Sequence, residues 1–95
     1  MLFPYEVRRL LKSYDVAKLS WNNLDDRYAI VREVLTRGDD VADEWLFETL
    51  TMGEVRALVL QYQGGGVGEP GRARMRQRLG LSVENLPIRP YLGFG

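Results

Sequence analysis

The chain reads as an all-α domain, a compact bundle of four to five short helices with a glycine-rich loop and an extended C-terminal tail. Three observations predict it. Residues 23–62 contain three successive helix-length apolar patterns, polar capping residues separate those patterns, and no stretch shows the sustained alternation of a strand. Ninety-five residues suffice for one core and leave little room for a second lobe. Residues 1–80 are therefore expected to form a single helical domain, with 81–95 a tail packed on that domain or on a partner.

In chain order, Leu2 to Leu11 predicts a short opening helix with Pro4 in its first turn and Val7, Leu10 and Leu11 on one side. Asp15 is placed to cap a single turn that brings Val16, Leu19 and Trp21 towards the core. Asn23 to Arg37 carries the central pattern. Wound at 100° per residue, Leu24, Tyr28, Val31 and Leu35 fall within about 60° of one another, widened by Ile30 and Val34. Asp25 and Asp26 in the first turn and Arg37 in the last complement the helix dipole, and Gly38 is a candidate left-handed cap.

Asp39 or Asp40 caps a third helix running to about Leu50, with Val41, Ala42, Trp45, Leu46 and Leu50 as its expected inward face. Thr51 to Glu54 fits the S/T-x-x-E capping box, so a new helix starts at once, with Val55, Leu58, Val59 and Tyr62 at i, i+3, i+4 and i+7. The expected core is Tyr28, Val31, Leu35, Trp45, Leu46, Val55, Leu58 and Val59. Phe47 and Leu60 lie off these faces, to be covered by the opening helix and tail or to contact another chain. Gln63 to Gly71 is a loop, and Arg72 to Leu79 a last helix introduced by Pro70 and ended by Gly80. In the tail, Leu86 and Arg89 precede prolines and are biased to extended geometry.

Composition removes several chemistries. With no cysteine and no histidine, thiol nucleophiles, disulfides, the usual transition-metal ligands and the commonest general base near neutral pH are all missing. Ser13, Ser20 and Ser82 have no base to activate them. Asp39, Asp40, Asp43 and Glu44 lack the glycine of a calcium loop and read as the acidic start of a helix. No metal, cofactor or catalytic residue is expected. Gly66 to Gly71 spells G-x-G-x-x-G, but a helical stripe precedes it and too little chain follows for a dinucleotide-binding unit. No membrane-spanning run and no leader pattern is visible, so the expected location is the cytoplasm.

Charge is balanced at 13 basic and 13 acidic groups but comes in blocks, +2 over residues 1–38, −5 over 39–61 and +3 over 62–95. The fold either neutralises itself or shows faces of opposite sign to different partners. Arg72, Arg74, Arg76 and Arg78 put four cations in seven residues. Such a row pairs with the chain's own acidic block, meets an acidic protein partner, or clamps phosphates. The isoelectric point near 6.2 argues against a nucleic-acid-binding module. The partner-binding candidates are Arg72, Arg74, Arg76, Arg78, Phe47, Leu60, Arg89, Tyr91 and Phe94. A protein partner is expected, a homodimer is compatible with the sequence, and a small nucleic-acid-binding regulator using the arginine row is the alternative.

Tyr14-Asp15-Val16, Leu19-Ser20-Trp21, the run from Tyr28 to Asp39 and the pair Trp45-Leu46 together resemble a family of small all-helical proteins of unknown function. Members are encoded beside abortive-infection nucleotidyltransferase toxins and are regarded as antitoxin-like. The resemblance extends over roughly Tyr14 to Leu60. It implies a helical fold, a nucleotidyltransferase as protein partner, and no catalytic residues to transfer. Met75 stands where the family tends to have an aromatic residue, and the glycine loop and tail are particular to this chain.

Overall fold

A computed structural model describes residues 3–88. It consists of five α-helices, α1 (Tyr5–Arg8), α2 (Leu24–Arg37), α3 (Asp40–Thr49), α4 (Met52–Gln61) and α5 (Glu69–Leu79), with 3₁₀ turns at Arg9–Leu11 and Val16–Lys18. There is no strand among the described residues. The all-α architecture is the one the apolar spacing predicts.

The helix starts are where polar side chains can take up the unpaired N–H groups of a first turn. Asp15 accepts from the Ala17 N–H, Asn23 from Asp26, and Asp39 from Ala42. Thr51 accepts from the Glu54 N–H at 3.1 Å while the Glu54 carboxylate accepts from the Thr51 N–H at 3.0 Å, completing the capping box. Pro70 sits in the first turn of α5, and Gly80 ends that helix at φ +63° while the Leu81 N–H returns to the Arg76 carbonyl.

Helix α2 is the hub, packing against α3, α4 and α5. Tyr28, Ile30, Val31, Val34 and Leu35 are buried on it and meet Ala42, Leu46, Leu50, Val55, Leu58, Val59, Met75 and Leu79 from the other helices. Each fully buried aliphatic side chain contributes about 1.5–3 kcal/mol through removal from water. Phe3, Trp21 and Trp45 close one end, their ring centroids 5.7–6.4 Å apart in edge-to-face contacts.

Four expectations need correction. The opening helix begins at Tyr5, not Leu2, because Pro4 has extended backbone (ψ 161°) and forms the N-cap, and it tightens to 3₁₀ geometry at Arg9. Leu24 is 46% exposed, since as the first residue of α2 it overhangs a shallow hollow it shares with Leu50, Ala57 and Leu58. Val41 is 51% exposed while Phe47 packs against the core. The buried face of α3 is centred on Leu46, and each residue step turns a further 100°, so Val41 falls off one edge and Phe47 comes in at the other. Gly38 is extended at φ −76°, ψ 160°, not left-handed. It is needed for close approach, because a Cβ there would lie 2.5 Å from the Val34 carbonyl oxygen and 3.2 Å from the Ala42 Cβ.

The caps make the acid limb of stability testable. Hydrogen bonds from backbone N–H groups hold the carboxyls of Glu54 and Asp39 below their ordinary values of 4.5 and 3.8. Folded-state values below the unfolded ones mean the stabilisation is complete above those ordinary values and is lost as pH falls through the depressed ones. Asp43 acts oppositely, because burial raises its carboxyl despite the adjacent Arg78, so its protonation favours the fold as pH falls. Glu54→Gln keeps an acceptor for Thr51 and removes one titration. The expected result is a modestly lower unfolding temperature near pH 7, where the neutral amide lacks the stabilisation given by the charged acceptor, and a shallower decline below about pH 4.5, read by thermal melts across pH.

Candidate interaction surface

The arginines of the row donate to backbone carbonyls, at the ends of α4 and α2 for Arg72, Arg74 and Arg78 and in the segment after α5 for Arg72 and Arg76. Helix C-termini leave carbonyl oxygens without intrahelical donors and carry partial negative charge. Seven arginines, Arg27, Arg37, Arg56, Arg72, Arg74, Arg76 and Arg78, donate to backbone carbonyls from elsewhere in the fold.

Arg72 is 3% exposed. Its Nη1 donates to the Gln63 carbonyl at 2.6 Å and the Gly64 carbonyl at 3.1 Å, and its Nε and Nη2 both donate to the Pro87 carbonyl, at 3.1 and 2.8 Å. Arg76 pairs with Glu69 and donates to the Leu86 carbonyl at 2.9 Å. Arg78 makes a two-pronged pair with Asp43 and so ties α5 to α3. Arg74 is the exposed member of the row, with one bond of 3.2 Å to the Gly38 carbonyl. The row is therefore not a cationic face. Arg72 is a tie inside the domain, 3% exposed, while Arg76 and Arg78 show only their edges.

The glycine loop is held by these arginines and by two tyrosines. Gln63, in the left-handed region at φ 54°, closes α4 with bonds from the Gln63 N–H to Leu60 and from the Gly64 N–H to Val59. Gly64 (φ 60°) lies under both Arg72 and Leu86, where a Cβ would meet their side chains at 2.9 and 3.0 Å. Tyr28 stacks on Tyr62 with centroids 4.4 Å apart, and its hydroxyl donates to the Gly65 carbonyl at 2.7 Å. The Tyr62 hydroxyl donates to Asp25, and this bond pushes its phenol up to about 12. The loop packs around protein groups, as a helix cap and not as a strand-to-helix nucleotide turn.

Beside this loop lies an open groove of about 570 Å³ lined by Leu60, Gln63, Arg72, Glu84, Asn85, Pro87 and Ile88. Leu60 is 37% exposed and Ile88 57% exposed, with Gln63, Glu84 and Asn85 as polar rim. Of the residues expected to touch a partner, Leu60 lines the groove, Phe47 is half-buried in the core, and Arg89, Tyr91 and Phe94 lie outside the described residues. Gln63, Glu84, Asn85 and Ile88 were not expected at a surface site. The available signal was Leu60 itself, apolar on the wrong side of α4, followed by a second isolated apolar residue after Pro87.

Among the described residues no group of three or more acidic side chains is arranged to hold a metal ion, and no helix is long and apolar enough to cross a membrane. Comparison with protein-family models, with curated proteins and with solved structures gave no match.

Proposed function

We propose that the chain is a non-enzymatic protein-interaction domain, and more particularly the antitoxin-like or regulatory partner of a nucleotidyltransferase. The observation that carries the first part is the groove between α4 and the segment after α5, where Leu60 and Ile88 remain exposed with polar groups around them. The second part rests on the resemblance of Tyr14 to Leu60. The absence of histidine and cysteine supports a surface that binds, since the commonest general base near neutral pH and any thiol nucleophile are missing. The inward turn of Arg72, Arg76 and Arg78 speaks against the nucleic-acid reading, because it leaves Arg74 as the row's exposed cation.

The test is co-expression with a nucleotidyltransferase encoded by an adjacent gene, followed by gel filtration and titration of the purified pair. Co-elution is expected for the native chain. Leu60→Asp and Ile88→Asp change exposed positions, so both are expected to fold while weakening the complex at least tenfold, about 1.4 kcal/mol. Lack of a complex, or a salt-steep shift of DNA or RNA that Arg74→Ala removes, would refute the reading.

A further inference from the structure

Resting on the interaction reading above, we propose that residues 81–88 are a built-in placeholder in a socket that takes a leucine-bearing peptide segment of a protein partner. Leu86 is fully buried, while its neighbours Val83, Glu84, Asn85, Pro87 and Ile88 are exposed. Its side chain sits over Gly64, where even one added carbon would collide with it. The two carbonyls that follow are both read by arginines, Leu86 by Arg76 at 2.9 Å and Pro87 by Arg72 at 2.8 and 3.1 Å. What the socket recognises is therefore one leucine and two consecutive backbone carbonyls, chemistry that a segment offers when a leucine closes a short turn and the chain runs on past it, as Ser82 to Pro87 does.

The occupant is also built to leave as a unit. Ser82 to Leu86 is a self-closed turn, with the Asn85 and Leu86 N–H groups both donating to the Ser82 carbonyl and the Ser82 hydroxyl bonded to Asn85. The backbone bonds within the turn survive detachment, and among the described residues detachment gives up the Leu86 plug, the three arginine bonds, the Leu81 N–H to Arg76 carbonyl bond and the partial cover of Leu81. Pro87 and Ile88 border the groove beside Leu60, so the described socket and groove are continuous. A tethered occupant competes at high effective concentration, so a ligand in solution sees an affinity reduced by the closed fraction.

The probe is a fluorescent peptide, LSVENLPI, copying residues 81–88, titrated by anisotropy onto the full-length native chain and the full-length Leu86→Ala variant. The variant, shown folded by circular dichroism, is expected to bind at least tenfold more tightly than the native chain. A peptide with alanine at its sixth position is expected to bind at least tenfold more weakly. If Leu86→Ala does not fold, Leu86→Val carries the same titration. No binding to a folded variant, or equal binding of the two peptides, would overturn the socket. Excess LSVENLPI should also release the nucleotidyltransferase from the native chain. A complex that forms yet resists the peptide sinks the placeholder and leaves the partner reading standing. Peptide binding without any such complex keeps the socket and sinks the partner.

Discussion

Arg72→Met is expected to destabilise the domain by about 3 kcal/mol, the upper range for losing hydrogen bonds made by a charged group and leaving their buried partners unpaired. The methionine fills much of the apolar volume of the arginine stem, so the loss isolates the guanidinium. Three carbonyls, those of Gln63, Gly64 and Pro87, lose their donor together, and they belong to the end of α4 and to the segment after α5. Arg72→Lys should recover little, because an ammonium is a point charge and lacks the planar fork that reaches carbonyls on two sides. Arg74→Ala is the control, an exposed member of the same row with one long bond, and should cost less than about 0.5 kcal/mol. Urea denaturation separates the two, since a slope of about 1–3 kcal/mol/M turns the first loss into a midpoint shift of 1 M or more. Equal shifts would show that Arg72 is not the tie its geometry describes.

That contrast also marks how far the amino-acid sequence can be read. The caps at Asn23, Asp39 and Thr51 and the faces of α2 and α4 were legible because their partners lie three to seven residues away, within the reach of local periodicity. The fate of Arg72 was not legible, since its acceptors are carbonyls brought close only by the turn at 62–68 and the return of the chain after Gly80. Val41 was expected on the inward face of α3 and is exposed, because neighbouring helices set how far α3 rotates, which its own spacing does not fix, while Phe47 is covered as the first of its two expectations had it. Gly38 was read for its conformational freedom when its use is its missing Cβ, a fact that depends on where Ala42 comes to lie. Of the groove, Leu60 was legible as an apolar residue off the packed face of α4, while Glu84, Asn85 and Ile88 were not, because the return of the chain after Gly80 brings them beside it.

Leu35→Ala is expected to cost about 3 kcal/mol, within the 2–5 kcal/mol of leucine truncations in closed cores. Leu35 has no exposed surface and lies in the last turns of the helix against which α3, α4 and α5 all pack. Alanine is the better helix former, so local propensity would predict no loss, and any destabilisation reports the cavity and the lost transfer of apolar surface. Leu24 supplies the comparison. The sequence puts both leucines on one stripe of α2, yet Leu24 is 46% exposed, and Leu24→Ala should cost under about 1 kcal/mol. For a domain of this size each kcal/mol lowers the melting temperature by about 4–8 °C, so Leu35→Ala should melt at least 10 °C below the native chain and Leu24→Ala within a few degrees of it. Were the two variants to melt together, the hub would not be α2, because a helix packed on three sides cannot lose a fully buried side chain as cheaply as one from its overhanging first turn.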